Sequence, residues 1–399
     1  MIPRHLTSKL LQAARLFPVV SLTGPRQSGK TTLVRDVFKD YHYASLEMPD
    51  LRRFALEDPR GFLAQFDGPV ILDEVQRVPD LFSYIQGLVD EHPDRTGRFI
   101  LTGSHNFLLL QSISQSLAGR CAVLHLLPFS WAEISRRNSM PLEGLGKSLP
   151  GPCPRPEKGL FDVLFTGFYP AIHARDLPPQ EWLAAYYQTY VERDVRTIVN
   201  VGDVEAFGRF VRLCAGRCGQ VLSLSSLAND CGISHTTARR WLSVLEASFI
   251  ITLLRPYHKN FGKRLIKSPK LYFLDTGLLC FVLQIRTPEE LWHRSERGAV
   301  FESFVVSELL KNFVHRGERP ALSFWRDAAG REVDVVVERG DDVTAVEAKS
   351  AMTVVSDLLR PLQSWRNLTG MPDAPCALIY GGDDAFRRSG VVVYPWWVL

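Results

Sequence analysis

Two stretches of this sequence carry residues whose types and spacing suit phosphate chemistry. The first, GPRQSGKTT, fits G-x-x-x-x-G-K-[ST] through Gly24, Gly29, Lys30 and Thr31. Glycines let backbone N–H groups wrap an anion, the lysine reaches the β/γ-phosphates of ATP, and the hydroxyl ligates Mg²⁺. Pro25, Arg26, Gln27, Ser28 and Thr32 complete the expected lining. Downstream, PVILDEVQ ends an apolar run on Asp73 and Glu74. An acid at a strand's C-terminal end is where a Mg²⁺ ligand belongs, so Asp73 is the expected ligand, and Glu74 beside it is the expected base for the attacking water. RFILTGS ends on Thr102 and Ser104, hydroxyls expected to meet the γ-phosphate or the water, although strand ends also carry Thr and Ser for turn geometry alone. Arg120, at the foot of the run CAVLHL, reads equally as a guanidinium for a neighbouring subunit's nucleotide or as a surface arginine after a helix-ending Gly119.

The second stretch is REVDVVVERGDDVTAVEAKS, two β-type runs around an acidic turn. Strand alternation predicts Val333, Val335 and Val337 on one face, with Glu332 and Asp334 on the other. On the second run Glu347 and Lys349 share a face. Upstream, in AVFESFVVSELLKN, the helical arc Phe301, Val305, Val306, Leu309 and Leu310 has Glu302 near its middle. A lone buried carboxylate is costly and calls for a cation or donors. Hard carboxylate oxygens suit Mg²⁺. Asp334 and Glu347 are therefore expected metal ligands, Glu302 a supporting ligand, and Lys349 the group that steadies the nucleophile or transition state. The same residues also suit a Glu347–Lys349 ion pair in a fold that holds DNA without cutting it.

Elements must position these groups. Over residues 18–126 short apolar runs alternate with helical segments, which predicts a parallel sheet flanked by helices. Prolines 141, 150, 152, 154 and 156 interrupt residues 138–160, expected to be a linker or surface loop. Residues 161–220 read as a helical connector. Residues 221–285 read as helix, tight turn at Gly232, helix, and strand hairpin. On the second of these helices Ala238, Trp241, Leu242 and Leu245 form a packing face, leaving Thr236, Arg239 and Arg240 for DNA. Lys259, Lys263, Arg264 and Lys267 in the basic hairpin are expected phosphate contacts, if the unit is not a packing module instead. Cys214, Cys218, Cys231 and His235 have zinc-like spacing but fall in a helix and a turn, where buried free cysteine is common. Residues 286–399 form the last expected domain.

The chain has 399 residues and a formal net charge of +4, too small to imply a nucleic-acid partner by itself. It contains no long apolar run of membrane-spanning length and no leader pattern, and seven cysteines fit a reducing, cytoplasmic setting.

Residues 1–137 resemble an AAA+ ATPase domain. The stretches GPRQSGKTTL, ILDEVQRVPDLF, ILTGSHNFLLL, SLAGR…LLPFS, YVERDV, GISHTTARRWLSVLEASFII, KSPKLYFLDTGLL and REVDVVVE…EAK make nearly the whole chain similar to prokaryotic AAA+ ATP-binding proteins with a C-terminal domain of unknown function. That resemblance implies a P-loop α/β domain with a five-stranded parallel sheet, Glu74 as base, Thr102 and Ser104 as sensors, Arg120 as an intersubunit finger, and a ring-like homo-oligomer, hexameric in one form. Glu302, Asp334, Glu347 and Lys349 resemble the PD-(D/E)xK nuclease constellation. The expected whole is an α/β ATPase with a winged-helix middle region and a restriction-endonuclease-like C-terminal domain, using ATP and Mg²⁺ to act on DNA, or else a scaffolding ATPase that binds without cutting.

Overall fold

The computed structural model describes residues 2–104, 113, 116–195, 204–258 and 268–399. Two compact units result. One comprises Met1–Phe129, Ala247–Phe249 and Phe313–Glu318; the other comprises Ser130–Glu246, Ile250–Asn312 and Arg319–Leu399. Among the described residues no helix is long and apolar enough to cross a membrane.

The first unit is an α/β layer structure around β1 (Val19–Thr23), β2 (His42–Ser45), β3 (Val70–Asp73), β4 (Phe99–Gly103) and β5 (Cys121–His125). All neighbouring strands are parallel, in the order β2-β3-β4-β1-β5. Strands buried on both faces read as continuous apolar runs, and alternation splits their side chains between two cores. Val19, Leu72 and Leu101 pack with Phe62 and Ile85 on one side, and Val20, Leu22, Ile71 and Ile100 pack with Leu10 and Leu33 on the other. This arrangement brings the C-terminal ends of β1, β3 and β4 side by side, which is where the expected ATP-site residues lie.

The second unit contains an eight-stranded sheet in the order β12-β13-β11-β10-β9-β8-β6-β7. Its strands are β6 (Ile251–Pro256), β7 (Lys270–Phe273), β8 (Leu322–Arg326), β9 (Glu332–Arg339), β10 (Asp342–Lys349), β11 (Cys376–Tyr380), β12 (Phe386–Arg388) and β13 (Val391–Pro395). The hairpin expected in a separate winged unit is thus part of this sheet, because β6 pairs with β8 through Arg255↔Ser323 and Pro256↔Phe324. The four wing positions Lys259, Lys263, Arg264 and Lys267 lie outside the described residues.

Two further differences from the expectation have local causes. The proline-rich stretch does not hang free: Leu142 and Leu145 are buried, Gly146 N–H donates to Tyr394 Oη at 3.0 Å, and Tyr394 donates to Ser148 O at 2.6 Å. And β9 is covered on both faces. Val333 through Val337 are all buried between β8 and β10, and Val333 and Val336 enter one core with Leu362 and Trp365. Strict alternation fails because Ser323↔Val336 is followed by Trp325↔Val333, so β9 carries one extra residue, a bulge at Asp334 and Val335.

Candidate functional sites

At the first cleft, Gly24 has φ 151°, and a Cβ there would stand 2.1 Å from Leu126 O, so only glycine lets the loop pass this strand. Gly29, φ 90°, turns the chain into the helix Lys30–Val37. The Lys30 ammonium is buried and donates to Gly24 O at 2.9 Å and Pro25 O at 2.8 Å, holding the loop by the lysine that would meet phosphate. Thr31 Oγ1 donates to Asp73 Oδ2 at 3.0 Å, and Thr102 Oγ1 donates to Asp73 Oδ1. Ser104 Oγ donates to Glu74 Oε2 at 3.0 Å, and the Gln76 amide donates to the same oxygen. Arg26, Gln27, Gly29, Thr32 and Ser104 line the cleft with these groups. A hydroxyl and a carboxylate already in contact are hard oxygen donors that fit Mg²⁺, which when bound would neutralise phosphate charge.

Sequence reasoning missed two supports. Tyr43 on β2 donates to Asp73 Oδ2 at 2.8 Å, and burial together with that bond pushes its hydroxyl up to about 12. Arg4, itself buried, donates from Nη1 to Ser28 O at 2.8 Å and from Nη2 to Leu127 O at 2.6 Å, pinning the phosphate loop from behind. Neither has a motif to announce it.

Burial pulls the Lys30 ammonium down to about 8, against the upward pull of Glu74 and Asp73 and with a further downward push from Arg26. Bound phosphates favour the protonated lysine, so binding should be at full strength below this value and weaken as pH rises through it. ATP affinity is expected to be about tenfold weaker at about pH 9 than at pH 7. Nucleotide titrations across this range check it, and a flat profile would contradict it.

Arg120 precedes β5, whose Cys121 pairs with Val19 at the start of β1, so it sits at the end of the sheet opposite the phosphate loop. Within its own unit it forms a two-pronged pair with Asp90, Nε–Oδ1 2.5 Å and Nη2–Oδ2 2.9 Å.

In the second unit, Ser234 caps the helix His235–Ala247 by accepting the Thr237 N–H at 3.0 Å. Ala238, Trp241, Leu242 and Leu245 are buried, and Thr236, Arg239 and Arg240 are exposed. Cys214, Cys218 and Cys231 are buried thiols; Cys231 donates to Ala206 O and Cys218 to Ser303 Oγ.

The C-terminal carboxylates do gather, but around lysines. Lys349 Nζ lies 3.0 Å from Asp334 Oδ2 and 2.6 Å from Glu347 Oε2, and the Ala348 N–H also donates to Asp334 Oδ2 at 2.9 Å. Glu302 Oε1 accepts from Lys270 Nζ at 3.0 Å and from the Tyr272 hydroxyl. Burial pushes Glu347 well up, Asp334 adds to this, and Lys349 opposes it. For Asp334 burial is outweighed by Lys349 and Lys270, which hold it down. Glu302 stands at about 7, raised by burial and by Asp334 against Lys270. Glu347 Oε1 is buried without a hydrogen-bond partner, a feature a metal ligand would share. Yet among the described residues no group of three or more His, Cys, Asp or Glu is arranged to hold a metal ion. Lys349 contacts Asp334 and Glu347, and Lys270 contacts Glu302, so ammonium groups meet oxygens that the expected metal centre would use.

Fold and first cleft together define an AAA-type ATPase domain. Residues 16–135 match the AAA domain family AAA_14, residues 157–289 a domain of unknown function, DUF8612, and residues 297–399 another, DUF4143. The chain is 31% identical over 394 residues to Uncharacterized protein Rv2008c of Mycobacterium tuberculosis and to Uncharacterized protein Mb2031c of Mycobacterium bovis, covering 98% of this chain and 82% of each. It belongs to the family of these proteins. Among solved structures, the Walker-type ATPase PABY2304 of Pyrococcus abyssi is similar at 13% identity and a TM-score of 0.41, over 71% of this chain and 96% of that one.

Proposed function

We propose that this AAA-type ATPase hydrolyses ATP to act on DNA as a homo-oligomer. The observation that carries the ATP-hydrolysis part of the reading is the convergence of Lys30, Thr31, Asp73, Glu74, Thr102 and Ser104 on one cleft at the strand ends. Lys30 and the loop amides bind the phosphates, Thr31 and Asp73 hold Mg²⁺, and Glu74 takes the proton of the attacking water. In this reading Arg120 serves a neighbouring subunit's nucleotide once its pair with Asp90 opens.

The DNA contact assigned here is the exposed side of the helix His235–Ala247, read as the recognition helix of a winged-helix unit. Thr236, Arg239 and Arg240 face outward while the other side of that helix is packed. Replacing both Arg239 and Arg240 by Ala is expected to weaken duplex binding and to lower the slope of log affinity against log salt by about 2. Fluorescence anisotropy at several salt concentrations checks it. A wild-type protein that binds no DNA at low salt would remove the reading.

For the C-terminal domain the geometry favours the non-cutting form of a PD-(D/E)xK-like fold. The specific support is that Lys270 contacts Glu302 and Glu332 while Lys349 contacts Asp334 and Glu347, so ammonium groups already share the oxygens of all four acids. Linear, supercoiled and branched DNA should stay intact with ATP and either Mg²⁺ or Mn²⁺. Cleavage that disappears in Lys349→Ala would sink this choice.

A further inference from the structure

The residue that departs furthest from its sequence context is Lys270. It closes the basic run expected to touch DNA phosphates, yet it is 1% exposed. The pairing Leu254↔Lys270 places it at the start of β7, the edge strand of the sheet, with its side chain buried. From there its ammonium passes 5.6 Å from the ring centroid of Phe324 on β8 and reaches acids from a helix and from β9. It lies 3.0 Å from Glu302 Oε1 on the helix Arg297–Val314 and pairs with Glu332 Oε1 on β9. Asp334 is in its electrostatic field. Tyr272, two residues along β7, donates to the same Glu302 oxygen.

We infer that Lys270 is an internal cation occupying the charge position of a divalent ion in the Glu302, Glu332, Asp334 and Glu347 cluster, and that the cluster takes up no divalent ion while Lys270 is present. The inference deepens the non-cutting reading above and rests on its assignment of the cluster. A metal ion needs carboxylate lone pairs and tolerates no ammonium among its ligands. Here the lone pairs of Glu302 Oε1 are directed to an ammonium and a phenol, and Asp334 Oδ2 is directed to Lys349 and an amide. Arg326, 3.5 Å from Glu332 Oε2, adds a third positive group. Charge is met from β7 and β10 on either side of the acids, so the helix glutamate that would complete a metal centre is already satisfied.

The test is Mn²⁺ binding, read by electron paramagnetic resonance on the nucleotide-free full chain with Asp73→Asn, which removes the ATP-site ligand. With Lys270 in place no Mn²⁺ should bind at the cluster. Lys270→Met should create a site at least about tenfold tighter than any residual binding, and adding Asp334→Asn should abolish it. Because Lys270→Met leaves two half-buried acids without their cation, Lys270→Met with Glu332→Gln is measured alongside, with circular dichroism to verify folding. Mn²⁺ uptake by the Lys270 protein that Asp334→Asn removes would overturn the inference. So would a folded Lys270 variant that still binds none. DNA binding and DNA integrity are scored in separate assays, so loss of the DNA reading leaves the Mn²⁺ outcome standing on its own.

Discussion

Replacing Glu74 by Gln is expected to cut the rate of ATP hydrolysis by about 10²–10⁴-fold while leaving nucleotide binding nearly unchanged. The substitution keeps the shape of the side chain and an oxygen able to accept from Ser104 Oγ, which now lies 3.0 Å from Glu74 Oε2. What it removes is the capacity to accept a proton. Backbone strain does not confound the comparison. Glu74 sits at φ 54°, ψ 43°, a left-handed conformation uncommon for a residue with a side chain, and Gln bears the same cost there as Glu. That conformation turns the chain sharply just after Asp73, so that two consecutive acids point to different tasks, Asp73 toward Thr31 and Glu74 toward Ser104. Asp73→Asn should behave differently, weakening Mg-nucleotide binding as well as turnover, since it changes the carboxylate shared by Thr31, Tyr43 and Thr102. Steady-state phosphate release and fluorescent-nucleotide titration separate the two patterns. A Glu74→Gln protein that turns over ATP at the normal rate would refute the base assignment.

The first cleft was legible because its information is local. A glycine pattern, a strand ending in two acids and a strand ending in hydroxyls each identify themselves within a few residues, and a parallel sheet then brings their ends together. The supports from Arg4 and Tyr43 were not legible, because each acts through one hydrogen-bonding group with no spacing rule. The C-terminal half depends on pairings distant in sequence. That β6 joins β8 could not be read from either strand, and without that pairing Lys270 looks like one more residue of a basic run. Alternation misassigned β9 because a bulge interrupts it at the residue that matters, Asp334. On the helix Arg297–Val314 the expected buried arc is Phe301, Val305, Val306, Leu309 and Leu310, whereas Ser303, Ser307, Glu308 and Lys311 are buried as well. Where charged residues of a helix are buried, as Glu308 and Lys311 are here, they must find partners inside.

Lys311 is the sharpest case of that requirement, and Lys311→Ala is expected to destabilise the second unit by about 3–5 kcal/mol. Its side chain is fully buried, with Nζ 2.8 Å from Glu308 Oε1 and 4.1 Å from the ring centroid of Phe168. Glu308, also buried, uses its other oxygen to accept the Trp131 N–H at 2.8 Å, at the start of the segment that Ser130 and Glu133 cap reciprocally. Asp275 is buried nearby and accepts from the Leu278 and Phe168 amides, and Lys311 helps hold its charge. One ammonium therefore compensates two acids, and its loss leaves both in a low-dielectric interior. An exposed pair at the same i, i+3 spacing would contribute about 0–1 kcal/mol, so the size of the effect tests the burial itself. Lys311→Met with Glu308→Gln removes both charges, keeps a chain of similar volume over Phe168, and retains an acceptor for Trp131. The double change should recover the part of the loss that comes from Glu308, since an ion pair replaced as a whole costs far less than one broken in half, while Asp275 still lacks its cation. Urea unfolding followed by tryptophan fluorescence is a suitable measurement, because the tilted rings of Trp131 and Trp396 lie 5.1 Å apart in this unit. A single Lys311→Ala change costing under about 1 kcal/mol, or a double variant weaker than the single, would show that the pair is not the buried strut described here.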